Sequence, residues 1–320
     1  MNSNTLKFDR PKIVVSKCLE FDNCRYDGQL INNKYIHKLK EYVDFTTICP
    51  EVEIGLGTPR DPIHLVRKED EFSLYQPSTG RDLGDLMNEF SNKFLNSLSS
   101  VDGFILKSRS PSCGISTAKQ FPDKNNKSPM GHGPGLFTAK IIEKYPNHPK
   151  EEDKRLNDDF LREHFYASIF TISEYRNVKS FKELYDFQAK HKLLFMAYNQ
   201  SRMKILGKIA ANKMNSSFEE VKHEYFFNLL LLFKKRPRYI SNINTHMHAY
   251  GFYKKYLKSK EKVFFLELLD DYRSNVIPLS TINSVMNSWN VRFENEYLIK
   301  QSYFKSFPEG LVVHKESRMK

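Results

Sequence analysis

Four cysteines, Cys18, Cys24, Cys49 and Cys113, are the residues of this 320-residue chain best suited to soft-metal chemistry, and all lie in its first half. Cys18, Cys49 and Cys113 are separated by 31 and 64 positions, so no compact CxxC pair is present. Spacing alone therefore says little, but placement says more. Each of the three follows an apolar, β-branched or aromatic run: residues 12–16 (KIVVS), 45–48 (FTTI) and 103–107 (GFILK). Runs of this kind read as buried parallel strands. Parallel strands end on one edge of their sheet, the edge where ligands bind. Three thiolates converging there form the donor set of a transition metal or an iron–sulfur centre. The bland alternative is burial without chemistry, because free cysteine is among the most buried residue types. It suits Cys24 best; for three cysteines at three strand ends, two of them beside Pro50 or Gly114, coincidence is the weaker explanation. Zinc is a rival, although structural zinc takes four protein ligands and catalytic zinc usually includes histidine. A disulfide framework is disfavoured, because nothing in the sequence points to secretion.

The elements that must position these residues alternate between strand and helix. Helical stretches are expected at residues 33–42 and 81–99, the second with Leu83, Leu86, Met87, Phe90, Phe94 and Leu98 at three-to-four spacing. A short hairpin is expected at 64–75, a mobile surface loop at the Lys-, Asn-, Gly- and Pro-rich 119–134, and a helix at 136–145. This βαβ rhythm implies an α/β domain with an open, mostly parallel, Rossmann-like sheet. Beyond residue 155 the pattern turns helical, with helices expected at 180–198, 201–212, 218–235, 240–256, 260–272 and 279–289. The reading is an α/β domain over 1–170 and an all-α domain over 171–320. The longest apolar runs, such as 226–233 (FFNLLLLF), fall short of the ~18–20 residues of a membrane span. The N-terminus has no apolar stretch behind a basic start. A folded, soluble, cytoplasmic protein with no membrane partner is expected.

Charge divides at the same place. Residues 1–170 carry 24 Lys and Arg against 24 Asp and Glu, whereas 171–320 carry 26 against 14 and so hold the whole net charge of +12. Two basic clusters stand out, Lys234, Lys235, Arg236 and Arg238, then Lys254, Lys255 and Lys258, with tyrosines interleaved and Tyr250 and Tyr253 nearby. Such groups can neutralise phosphates and stack on bases; a solvated helix face is the plain alternative. His191, His246 and His248 are read as core or RNA-contacting residues, since a pair at i, i+2 does not share a helix face. Phe226, Phe227, Phe233, Phe264 and Phe265 read as core.

Five ordered motifs carry a resemblance. They are Ser16-Lys17-Cys18-Leu19; Cys24-Arg25-Tyr26-Asp27-Gly28; Cys49-Pro50-Glu51-Val52 followed by Gly57-Thr58-Pro59-Arg60; Gly80-Arg81-Asp82; and Lys107-Ser108-Arg109-Ser110-Pro111-Ser112-Cys113-Gly114. Over about the first 165 residues the chain resembles the thiouracil desulfidase family. The second half, with Lys190-His191-Lys192-Leu193-Leu194 and His246-Met247-His248-Ala249-Tyr250-Gly251, resembles the YbgA-type helical domain. The fusion is similar to transfer-RNA 4-thiouridine desulfidases. Lys17 and Phe21 depart from the small residue and glycine usual around the first cysteine.

The resemblance implies a [4Fe–4S] cluster held by Cys18, Cys49 and Cys113, with one iron not ligated by protein, and non-redox removal of sulfur from a thiolated pyrimidine. It makes Glu51 the candidate for proton transfer, and Ser110 and Ser112 the candidates for orienting substrate or water, with Ser110 preferred. Alternatives are a carboxylate that caps a helix or pairs with Arg60, and plain turn chemistry for the serines. Lys107, Arg25 and Asp27 would shape the pocket or form ion pairs. The implied substrate is 4-thiouridine in transfer RNA. The rivals are a desulfidase of free thiouracil or thionucleosides, and a non-catalytic, metal-stabilised RNA-binding adaptor.

Overall fold

A computed structural model describes residues 7–126, 128–212 and 215–312. Contacts divide the chain into two units, one running to Ser173 and taken up again from Pro308, the other spanning Glu174–Phe307.

The first unit begins β1 (Lys12–Ser16), α1 (Lys34–Leu39), β2 (Asp44–Ile48), α2 (Pro50–Glu53), β3 (His64–Lys68) and β4 (Glu71–Gln76). It continues β5 (Arg81–Asp82), α3 (Gly84–Ser97), β6 (Gly103–Leu106), β7 (Ala118–Phe121), β8 (Gly131–Gly133), α4 (Leu136–Lys144) and β9 (Lys150–Glu152). One sheet is four-stranded and fully parallel, in the order β2-β1-β6-β9. Its central strands are apolar along their length because helices or loops cover both faces; Ile13, Val14 and Val15 of β1 and all of β6 are buried. α3 buries Met87 and Leu95, with Phe90, Phe94 and Leu98 partly buried beside them, against a core that includes Leu74, Phe104 and Phe137, whereas Leu86 of the expected stripe is exposed.

The expected architecture is therefore present: an α/β domain with a mostly parallel sheet, followed by a helical region. Two features correct the sequence reading. Residues 119–134 do not form one loop, because β7 and β8 pair within it and belong to a second, mixed sheet ordered β5-β4-β3-β7-β8. β7 (AKQF) offers only Ala118 and Phe121 to the core, and β8 (GHG) offers no aliphatic side chain. Backbone pairing, which leaves no periodic signature, makes them strands. The fourth parallel strand, β9 (KEE), is also hidden in the sequence, because it buries Glu151 and Glu152 where a core strand would bury apolar groups.

After α5 (Asp159–Arg176), within which the division falls, the second unit contains α6 (Phe181–Tyr198), α7 (Gln200–Ala210), α8 (Phe218–Leu232) and α9 (Tyr239–Tyr253). It ends with α10 (Ser259–Arg273), α11 (Leu279–Phe293) and α12 (Glu296–Ile299). Polar caps set the starts: Ser180 accepts from Glu183 N, and Ser217 with Glu220 closes a capping box on α8. The core packs Tyr175 on Tyr225 and Phe187, and Tyr250 on Phe265 and Trp289. Phe233 and Phe265 are core as expected, and Phe226 packs against its edge, but Phe227 and Phe264 are each 51% exposed. They occupy the outward turn of helices whose apolar residues run nearly all the way round, so apolar type alone does not assign the face. No helix among the described residues is long and apolar enough to cross a membrane.

Candidate functional site

The C-terminal ends of β1, β2 and β6 deliver the cysteines. Cys18 lies two residues past β1, where its carbonyl accepts from Ile31 N; Cys49 directly follows β2; Cys113 closes the loop after β6. All four thiols are free and buried. The Cys49 thiol donates to the Cys24 carbonyl at 3.6 Å, and the Cys24 thiol faces those of Cys18 and Cys49, so the residue read as the core bystander stands among the thiols. The Cys113 thiol stands beside Ser16 and Ser110 and faces Cys49 and Glu51 electrostatically. The neighbouring Cys18 thiol pushes the pKa of Cys24 up to about 11. The neighbouring Cys24, with burial, raises Cys49 as well, and burial pushes Cys113 up to about 12.

Beside the thiols lies a buried carboxylate with every oxygen engaged. Glu51 Oε1 accepts from Ser112 Oγ at 2.9 Å and from Ser110 Oγ at 3.3 Å. Glu51 Oε2 accepts from Arg60 Nε at 2.9 Å and Nη2 at 2.6 Å. The Ser–Glu contact and the Arg60 pair are thus both present in one geometry. Ser112 is the nearer serine, whereas Ser110 Oγ also accepts from the Ser112 and Cys113 amides at 3.2 and 3.1 Å. Ser110 organises the turn as well as facing Glu51.

Arg60 is the residue that sequence reasoning left outside the candidate set. Its side chain is only 5% exposed. Besides Glu51 it donates to the Cys24 and Gly57 carbonyls, each at 3.0 Å, and its Nη2 stands 4.0 Å from Cys49 Sγ. Burial opposes its charge, but Glu51 more than offsets this and raises its pKa. The signal available was the Gly57-Thr58-Pro59-Arg60 motif, whose arginine follows Glu51 by nine residues. Gly135 is a second omission. A Cβ there would lie 2.5 Å from the Ser112 carbonyl carbon, so only glycine lets the start of α4 close on the Ser110–Cys113 turn. Arg25 pairs with Asp27 at 2.7 Å, and Lys107 lies 3.5 Å from Asp153. Lys17 pairs with Asp22, and Phe21 packs edge-on against Phe45.

Residues 13–153 match the family model described as 2-thiouracil desulfurase. The uncharacterised protein YbbK of Bacillus subtilis (strain 168) is 33% identical over 109 residues, which are 32% of this chain and 72% of that protein. The chain belongs to the 2-thiouracil desulfurase family. Residues 192–308 match a second model, described as "Protein of unknown function (DUF1722)". The uncharacterised protein YbgA of Escherichia coli (strain K12) is 23% identical over 145 residues, 44% of this chain and 86% of that protein. A solved [4Fe–4S]-dependent thiouracil desulfidase is 26% identical with a TM-score of 0.39, covering 47% of this chain and 95% of that one.

Outside the desulfurase domain, the helical unit separates its two basic clusters. Lys234, Lys235, Arg236 and Arg238 precede α9, and Lys254, Lys255 and Lys258 follow it, so about 22 Å of helix lies between them. All seven side chains are exposed. Tyr250 and Tyr253 are not available for stacking on bases, because Tyr250 is packed on Phe265 and Tyr253 is buried with its hydroxyl on Asn290. Tyr239 and Tyr256 are the exposed aromatics at the two ends. His191 is buried against Glu174 and Ser302, and His246 against Asn242, Asn283 and Tyr303, so both are core; His248 is exposed.

Proposed function

We propose that this protein is an iron–sulfur-dependent desulfidase that converts 4-thiouridine in transfer RNA to uridine. The observation that carries the reading is the meeting of buried free thiols from three parallel strand ends with the Glu51–Ser110–Ser112–Arg60 network. The donor set fits a cluster: soft thiols, no disulfide, and a cationic Arg60 beside Cys49 to balance thiolate charge. Among the described residues no group of His, Cys, Asp or Glu closes on a single ion. The group implied by the resemblance is a [4Fe–4S] cluster, not a single ion. Cys18, Cys49 and Cys113 would hold it, with one iron left unligated by protein.

When bound, the cluster supplies a Lewis acid with affinity for a thiocarbonyl sulfur. The chain's own groups handle the proton and the orientation. Glu51 Oε1 already receives the Ser112 and Ser110 hydroxyls, so a proton leaving water through either hydroxyl arrives on that carboxylate. Arg60 holds Oε2 and keeps the carboxylate edge fixed toward the serines. The balance is thiocarbonyl plus water giving carbonyl plus hydrogen sulfide, with no change of oxidation state. A base in RNA must be loop-exposed or flipped to enter a strand-end cleft, and the two basic clusters would hold its phosphates.

The test is desulfuration by anaerobically reconstituted full-length protein, followed as loss of thiouridine absorbance in thiolated transfer RNA, with free 2-thiouracil in parallel. Turnover of the transfer RNA is expected. Turnover confined to free thiouracil would replace the substrate, and a preparation holding zinc without iron or labile sulfide would replace the enzyme by an adaptor.

A further inference from the structure

We infer that Thr117 and Glu152 are positioning residues: they clamp Arg109 in a left-handed backbone conformation and so aim Ser110 and Ser112 at Glu51. The loop from β6 to β7 carries Ser110, Ser112 and Cys113, and its course turns on one residue. Arg109 has φ +63°, a conformation that a long L side chain adopts only where its surroundings impose it. Its side chain is exposed, so the constraint acts through the backbone.

That constraint is a short relay. The Arg109 amide donates to Thr117 Oγ1 at 2.7 Å, and the Thr117 hydroxyl donates onward to Glu152 Oε1 at 2.7 Å. Only a hydroxyl can accept from one partner and donate to the other at this position. The same Glu152 oxygen accepts from Ile115 N at 2.7 Å and Ser116 N at 3.4 Å, and the neighbouring Asp153 accepts from Ser108 N at 2.7 Å. Glu152 is 1% exposed, and the donors around it account for a carboxylate in that place. Both limbs of the loop are thus pinned by the acidic end of β9. The turn between them presents two hydroxyls to one Glu51 oxygen. Neither Thr117 nor Glu152 bonds Glu51, so their effect passes through Arg109 and the turn.

The clamp makes a prediction that general loop stabilisation does not. Glycine adopts positive φ unaided, so Arg109→Gly should remove the need for the clamp. In a loop held only by its overall stability, the same change would loosen the chain further. The experiment uses full-length protein in three forms: wild type, Thr117→Val, and Thr117→Val with Arg109→Gly. Thr117→Val is expected to speed hydrogen exchange of the Ser112 and Cys113 amides, and to lower kcat on thiolated transfer RNA by about tenfold with KM unchanged. The double variant is expected to reverse both changes. Unaltered exchange in Thr117→Val, or no recovery in the double variant, would overturn the inference. Should Thr117→Val fail to fold, the double variant must fold, and its failure overturns the clamp equally. The kinetic arm rests on the desulfidase reading. A wild type without turnover removes that reading, while the exchange arm still decides the clamp.

Discussion

The two units bury polar groups in opposite ways. The α/β unit concentrates charge at its strand ends: Glu51 with Arg60, Glu152 under the Cys113 loop, and Asp153 near Lys107. The helical unit keeps most of its charges outside and fills its interior with paired neutral groups, such as Tyr253 with Asn290 and His246 with Asn242, Asn283 and Tyr303. Neutral pairs fix helix register at modest cost. Buried charges demand partners for every oxygen and proton, and removing one partner leaves an uncompensated charge. A domain that accepts that demand around free thiols is organised for chemistry, whereas one that avoids it is organised for packing and for the surface it presents.

The sharpest way to break this contrast is at the thiols. Cys49→Ala should abolish iron and sulfide content and turnover together, while the helical unit keeps its amide protection; retained iron would remove Cys49 from the ligand set. Glu51→Gln comes next. Iron content should hold, and kcat should fall by about 10²–10⁴, so undiminished turnover would take Glu51 out of the proton path. A smaller effect tests the surface of the other unit. Replacing Lys254, Lys255 and Lys258 together with Gln should reduce the slope of log affinity for transfer RNA against log salt by roughly 0.7–0.9 per lost phosphate contact. A slope equal to that of wild type would mark this cluster as a solvated face.

The smallest effect is acid sensitivity of the helical core. Burial lowers the pKa values of His191 and His246, so the folded unit stays neutral there when an unfolded chain takes up protons. A lowered folded value means stability complete above about pH 6.5 and lost as pH falls below it. Against its own burial, Glu174 is held at about 2 by the His191 ring 3.2 Å away and by Lys190, which donates to both its oxygens, so it is not what titrates in that window. The midpoint of thermal unfolding, followed by helical circular dichroism, should drop by several °C between pH 7 and pH 5. His246→Gln should reduce the dependence, and a flat profile would mean that these histidines are solvated.

Much of this was legible in the linear chain. Strands β1, β2 and β6, the hairpin β3–β4, the amphipathic α3 and the succession of helices all follow from apolar periodicity, which depends on neighbours a few residues apart. So does the placement of Cys18, Cys49 and Cys113 at strand ends. β9 was hidden because its buried side chains are carboxylates, and β7 and β8 because strand pairing needs only backbone. Tyr250 and Tyr253 were misplaced on the surface because the basic residues beside them lie just beyond the end of α9, whereas the tyrosines lie on its inner face.

By itself, then, the sequence determined which strands carry the cysteines and which half carries the charge, since both are properties of residue type in local order. Tertiary structure alone decided that Glu51 would share its two oxygens between Arg60 and a serine pair some sixty residues away. It also decided that Cys24 would join the thiols, and that an acidic edge strand would steer the Ser110–Cys113 turn. The reason is physical. A hydrogen bond across such separations depends on where two distant backbones come to rest, and no periodicity in either segment encodes that meeting.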